Sequence, residues 1–140
     1  MGKLLQVYRS RPFLPIGDGS VNKAVVAETR PHPLLYAVQY LPHEVRSEFP
    51  TLSGICPATS DRYEDEILWL SPEEVKSLHK EFGRFQQICE REVFVSGVDG
   101  AEVKRFWESS NEHNFSSDIN SLNEVLKDAA LAGHWVCLQL

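Results

Sequence analysis

Residues 71–89 have the sequence SPEEVKSLHKEFGRFQQIC, which predicts one long amphipathic helix. Ser71 is a favourable N-cap residue, Pro72 suits the first helical position, and Glu74 stands three residues after the cap, as in a capping box. An apolar stripe with helical spacing follows, formed by Val75, Leu78, Phe82, Phe85 and Cys89. The stretch therefore combines a start signal with a face that can be buried.

Short β-favouring segments flank this helix in the chain. Residues 4–8, 21–28 and 34–41 are rich in small apolar, β-branched and aromatic residues and are separated by Gly- and Pro-containing turns, so they predict three strands in a meander. Residues 92–98 predict a further strand. Residues 134–140 predict a last strand, which we expect inside the sheet because a frayed apolar segment favours aggregation.

Two more helices are predicted in the second half of the chain. Asp99 is placed to cap a short helix containing Val103 and Phe106, with Glu102 at the spacing of a capping box. Ser117 is placed to cap a longer helix that ends at a glycine. The apolar face of this last helix comprises Ile119, Leu122, Leu126 and Ala129.

The region between the meander and the long helix predicts mostly loop. Pro50, Gly54 and Pro57 interrupt any long element there, and only a helical turn is expected at residues 43–49. Taken together, the elements predict a single α+β domain over residues 1–140. We expect a mostly antiparallel sheet with two to three helices packed on it.

The net charge of the chain argues against some classes of binding partner. Its 140 residues include 14 Lys and Arg against 20 Asp and Glu, which gives a net charge of −6. Nucleic acid and anionic membranes attract basic surfaces, so we expect neither as the main partner. Residues 61–74 contain six acidic side chains and one basic side chain. This run is typical of a solvated face or of a docking surface for a basic protein.

Aromatic residues next to the acids favour the docking surface. Tyr63 and Trp69 flank the run, and Trp107 lies beside further acids. Burial in the core is the simpler explanation for aromatic residues, yet Tyr and Trp inside a charged rim are typical of binding hot spots. The predicted partner-binding residues are Tyr63, Glu64, Asp65, Glu66, Trp69, Glu73, Glu74 and Trp107.

These features predict a non-enzymatic, acidic protein-binding domain. Its most concrete form is an immunity or inhibitor-type protein that occludes a basic partner such as a toxin, with acids steering and aromatic residues anchoring. The alternative is a small enzyme or ligand-binding domain with a site in the Pro-rich loops. That site would use His32, His43, Arg46 and Cys56.

Neither a catalytic residue nor a metal site nor a cofactor is predicted. The five histidines show no i, i+4 pair, and the sequence contains no Cys-x-x-Cys. Cys56, Cys89 and Cys137 are odd in number and far apart, which favours reduced thiols. Since the sequence also has no long apolar segment and no visible signal peptide, we expect a cytoplasmic protein. The oligomeric state is left open.

Overall fold

The α+β class predicted from the sequence is confirmed by a computed structural model, which describes residues 3–11, 25–31, 48–55, 60–95, 97–109 and 115–140. The strands and helices, in chain order, are β1 (Leu4–Tyr8), β2 (Val25–Thr29), α1 (Pro50–Ser53), β3 (Ile67–Leu70), α2 (Pro72–Glu90), β4 (Phe94–Val95), β5 (Val98–Asp99), α3 (Gly100–Ser109), α4 (Phe115–Ala132) and β6 (Trp135–Gln139). Within the described residues, these strands form a four-stranded and a two-stranded antiparallel sheet.

The larger sheet has the strand order β2-β1-β6-β3. Cys137 of β6 lies opposite Gln6 of β1 on one side and opposite Trp69 of β3 on the other, so the last strand is internal, as predicted. Val136 and Leu138 of this strand are fully buried, which explains why β6 is not left at an edge. The first two predicted strands are adjacent and antiparallel. The strand predicted at residues 34–41 lies outside the described residues.

The main core lies between one face of this sheet and the helices. The predicted stripe of α2 is fully buried and comprises Val75, Leu78, Phe82, Phe85 and Cys89. It packs with sheet residues that alternate along their strands, namely Leu5, Val7, Leu68, Leu70, Val136 and Leu138. Burial of a large apolar side chain contributes roughly 1.5–3 kcal/mol, so this layer is the main source of stability.

Two of the predicted helix starts are confirmed by their capping contacts. The Glu74 N–H donates to Ser71 Oγ at 3.3 Å, and the Ser71 N–H donates to Glu74 Oε1 at 3.2 Å, which completes the capping box of α2. The Glu102 N–H donates to Asp99 Oδ1 at 3.2 Å at the start of α3. The predicted cap at Ser117 is wrong, because α4 already begins at Phe115 and Ser117 lies in its first turn.

The single strand predicted at residues 92–98 is instead a small hairpin. Phe94–Val95 pairs with Val98–Asp99, and Gly97 between them has φ +80°. A glycine adopts this left-handed conformation without the steric cost of a Cβ atom, so the chain reverses direction there. The alternation of valines along the segment resembles that of one strand, which explains the error.

The short helix α1 occupies a region predicted to be loop. A proline interrupts a helix when it lies in the helix interior. Pro50 instead stands at the first helical position, where its fixed φ is favourable. No side chain of the preceding residue caps the helix. Instead, the carboxylate of Glu81 on α2 accepts hydrogen bonds from the Thr51 N–H at 3.3 Å and the Leu52 N–H at 2.9 Å. The cap is therefore tertiary and has no local signal.

Candidate functional site

The acidic run forms a tight turn immediately before β3. The Glu64 N–H donates to Ile67 O at 2.8 Å, and the Ile67 N–H donates to Glu64 O at 2.9 Å. Between them, Asp65 and Glu66 have φ angles of +51° and +65°. Positive φ at both central residues is the type I′ pattern of two-residue hairpins. Residues 61–67 are called the acidic hairpin below, and the side chains of Glu64, Asp65 and Glu66 are exposed at its tip.

Of the two central residues, Asp65 is one that this turn accepts, whereas Glu66 is not. Type I′ turns favour Asn-Gly, and left-handed backbone costs an L-residue roughly 1–2 kcal/mol unless it is glycine or, to a lesser degree, Asn or Asp. Glu66 has a Cβ atom, unlike glycine, and its side chain is longer than that of Asn or Asp, so nothing relieves this cost. The turn therefore retains a charged residue, Glu66, at a position where glycine would be more stable.

Arg62 fixes the acidic hairpin to the neighbouring elements. Its guanidinium donates to both carboxylate oxygens of Glu74, with Nη2 3.1 Å from Oε1. Nη2 also donates to the carbonyl oxygen of Trp69 at 3.0 Å, which occupies an acceptor on β3. Because Glu74 caps α2 as well, this one arginine links the hairpin, β3 and the helix start.

The predicted acids divide into two groups. Glu74 is held by Arg62, and Glu73 lies 3.7 Å from Lys76, so both carboxylates have basic neighbours at the start of α2. Asp61 and the three tip residues are exposed and, among the residues that the structure describes, make no ion pair. Within the described residues, the acidic hairpin thus carries four exposed carboxylates without an ion pair, whereas Glu73 and Glu74 each have one.

The two described aromatic candidates hold the acidic hairpin and β3 in place. The Tyr63 hydroxyl donates to the Ile55 carbonyl oxygen at 2.7 Å. The Trp69 ring meets the buried Tyr8 ring edge-on, with centroids 5.1 Å apart, and the Arg11 guanidinium lies 5.7 Å from its centroid. Both rings are partly exposed, so they can also contact a partner. Trp107 belongs to α3, and its side chain lies outside the described part of the chain.

Sequence reasoning missed a polar network on the other face of the larger sheet. Gln6 donates through Nε2 to Glu28 at 3.1 Å, while its own Oε1 accepts from the Tyr8 hydroxyl at 2.9 Å and from Gln139. Burial, reinforced by the charges of Cys137 and Glu28, raises the pKa of Tyr8 above its usual value. The signal was Gln6 standing between two core residues of β1, since alternate residues of a strand point to opposite faces.

The described cysteines are poor nucleophiles. Burial raises the pKa of Cys89 and of Cys137 to about 12, so both thiols are protonated at neutral pH. The alternative site at His32, His43, Arg46 and Cys56 lies outside the described residues. Within the part of the chain that the structure describes, no group of three or more His, Cys, Asp or Glu is placed to hold a metal ion. No helix in that part is both long and apolar enough to cross a membrane.

Comparisons with known protein families, with curated proteins and with solved structures found no match for this chain. The residues themselves therefore carry the functional argument. Their most distinctive arrangement is the acidic hairpin, with its exposed charges, its costly turn and its fixed attachment to β3 and α2.

We expect Glu74→Gln to reduce the loss of stability in acid. Burial alone would raise the pKa of Glu74, but the hydrogen bonds from Arg62 and Ser71 outweigh it and leave the pKa below its usual 4.5. A carboxyl with a lowered folded pKa stabilises the fold above its unfolded pKa, and this contribution disappears as the pH falls through the folded pKa. Since the pair is more than a third exposed on the arginine side, we expect an effect of about 1 kcal/mol or less.

Urea unfolding of the wild type and the variant at about pH 7 and about pH 3 measures this difference. The wild type should lose more free energy of unfolding between the two conditions than Glu74→Gln does. Glu73→Gln is the matched control, since that side chain is 85% exposed. If all three proteins lost the same free energy of unfolding between the two pH values, the lowered pKa of Glu74 would be wrong.

Proposed function

We propose that this protein is a non-enzymatic inhibitor of the immunity type, which binds a basic protein partner through the acidic hairpin. The observation that carries the proposal is the pair Asp65 and Glu66 at positive φ on an exposed tip. Backbone strain of this kind persists where a function requires the residue, and here both residues contribute charge. A turn selected for stability alone would have glycine in place of Glu66.

Electrostatics support a basic partner. The four exposed carboxylates of the acidic hairpin are close in sequence and reinforce one another, and complementary charge accelerates encounter and excludes partners of the same sign. Tyr63 and Trp69 add partly exposed aromatic surface beside them. Such residues are frequent at the energetic centre of protein interfaces. Binding would block the partner's active surface by covering it and by neutralising its charge.

The fixed attachment of the acidic hairpin supports tight binding. Its two backbone hydrogen bonds and the contacts of Arg62 hold the tip in one conformation before a partner arrives. A preorganised loop loses less conformational entropy on association than a flexible one does. The strained turn therefore presents its charges in a defined direction.

The double substitution Asp65→Asn and Glu66→Gly tests the proposal, because it removes two charges without endangering the fold. The new pair is the preferred type I′ sequence, so we expect the free energy of unfolding to rise by roughly 1 kcal/mol. Partner affinity should fall at least about tenfold, because two charges leave the interface. A loss of binding in a more stable protein cannot result from misfolding.

The measurement is capture of partners from the lysate of the producing cells, followed by titration of the purified partner at two salt concentrations. The matched control combines Glu108→Gln and Asp128→Asn, which remove two exposed charges from α3 and α4. A basic protein retained by the wild type and the control but released by the hairpin variant is the expected result. Equal retention by all three, or no retained protein, would refute the proposal.

A further inference from the structure

The hairpin of β4 and β5 has an inner and an outer strand. Val98 of β5 is fully buried, whereas the consecutive residues Val93, Phe94 and Val95 are 38%, 71% and 38% exposed. Since alternate residues of a strand point to opposite faces, Phe94 is exposed on one face and the two valines on the other. Residues 93–95, called the outer edge below, therefore expose apolar side chains on both faces.

The backbone of Phe94 points away from β5. The Gly100 N–H donates to Val93 O at 2.9 Å, and in the next pair of the register Phe94 lies opposite Asp99. Opposite residues of an antiparallel pair alternate between hydrogen-bonded and non-hydrogen-bonded pairs. The N–H and C=O of Phe94 thus face the other side of β4, where no strand of the described residues pairs with it.

The outer edge lacks the features that usually protect an edge strand. Such strands commonly carry a charged residue, a proline or a bulge, each of which discourages pairing with another chain. Residues 93–95 are all apolar, and the register of β4 with β5 is regular. A two-stranded sheet is also only marginally stable alone, and further strands stabilise it. The outer edge is therefore suited to receive an extended strand.

The sequence of the outer edge is complementary to a second copy of itself. Val-Phe-Val reads the same in both directions. If two copies pair antiparallel about a two-fold axis at Phe94, the phenylalanines lie opposite each other and each valine lies opposite a valine. The two Phe94 residues then exchange both of their outward backbone hydrogen bonds. Cross-strand aromatic and β-branched pairs add to the stability of such a sheet.

The charges beside the outer edge allow this pairing, although the chain as a whole is acidic. Glu92 stands two residues before Phe94, so its two copies would lie four strand positions apart, which is about 13 Å. This distance exceeds the Debye length of about 8 Å at physiological salt, so their repulsion is largely screened. Arg91, which is exposed next to Glu92, offsets part of the same charge.

We propose that the protein forms a two-fold symmetric dimer, in which the outer edges of two copies pair and join both hairpins into one four-stranded antiparallel sheet. Three residues from each copy cover much less than the roughly 1,600 Å² of a standard interface, so the dimer is weak and forms at about 0.1–1 mM protein. The proposal is independent of the inhibitor function, because the outer edge and the acidic hairpin share no residue.

Sedimentation equilibrium of the full chain, at concentrations from about 20 µM to about 1 mM, measures the association. The average mass should rise towards twice the monomer mass and not beyond it. Phe94→Lys places two like charges opposite each other at the axis and should weaken the association at least about tenfold. Leu131→Lys is the matched control, because it adds the same charge at an apolar residue of α4 that is 78% exposed. It should associate like the wild type.

Nuclear magnetic resonance of the wild type tests the register. Val93 of one copy and Val95 of the other form the close, non-hydrogen-bonded pairs, so a mixture of labelled and unlabelled protein should show a nuclear Overhauser effect between their Hα atoms. Hydrogen exchange of the Phe94 amide should slow as the concentration rises. A protein that stays monomeric at about 1 mM would leave the outer edge to a strand of a different protein and would overturn the proposal. Equal weakening by Phe94→Lys and Leu131→Lys, or growth past the dimer mass, would overturn it as well.

Discussion

Gly100→Ala should destabilise the protein by at least about 3 kcal/mol, because the added methyl group has no room. A Cβ atom at this position would lie 2.1 Å from Ile88 O, 2.7 Å from Ile88 C and 2.9 Å from Val93 O. All three are backbone atoms, so no side-chain rotation relieves the clash. The Gly100 N–H also donates to Val93 O at 2.9 Å, which ties the start of α3 to the segment between α2 and β4.

Gly83→Ala is the matched control, since the same change there meets no atom within 4 Å. It should raise the free energy of unfolding by roughly 0.5–1 kcal/mol, because alanine is the better helix former. Urea unfolding monitored by circular dichroism compares the two variants with the wild type. If Gly100→Ala unfolds within about 0.5 kcal/mol of the wild type, the close crossing of α2 and α3 is wrong.

Phe82→Ala should cost about 3–5 kcal/mol, the usual range for deleting a buried aromatic ring. Phe82 is fully buried at the centre of the α2 stripe, where it joins the helix to the core. Its removal leaves a cavity that the surrounding side chains only partly fill, and the contacts of the ring are lost. A loss of this size is a large fraction of the roughly 5–15 kcal/mol that stabilises an ordinary domain.

Phe94→Ala provides the comparison for the core substitution, because that ring is 71% exposed on β4. We expect it to change the free energy of unfolding by less than about 1 kcal/mol. The free energy of unfolding of both variants is measured by urea unfolding. Similar losses for the two phenylalanines would mean that the α2 stripe is not the centre of the core.

The parts of the fold that sequence predicts well are those with local signals. The start of α2 combines Ser71, Pro72 and Glu74, and the apolar stripe behind them repeats over most of the helix. The internal position of β6 followed from its apolar content alone. In both cases the information lies within one segment, so no knowledge of the rest of the chain was required.

The parts that sequence did not predict depend on contacts between distant segments. The cap of α1 comes from Glu81, which stands 30 residues after Thr51 in the chain. The turn at Asp65 and Glu66 contains neither Gly nor Asn, so its sequence does not predict a type I′ turn. The hairpin of β4 and β5 differs from a single strand only through the conformation of Gly97.

The candidate sites divide in the same way. The acidic composition of residues 61–74 was visible, but which carboxylates are engaged depends on Arg62 reaching Glu74, 12 residues away. The hydrogen bond between Gln86 and Asn123 could not be predicted either, because the two residues stand 37 positions apart on two helices. Each helix read alone shows only ordinary polar residues on a solvent-facing side.

The order of strands in the larger sheet also constrains when the protein can fold. In the described sheet β1 and β3 do not pair with each other, and β6 lies between them. On a ribosome, the first three strands of the sheet emerge well before the strand that joins them. Their pairing edges stay open during that interval and are available to chaperones or to neighbouring chains. We therefore expect cooperative folding only after Gln139 has left the exit tunnel.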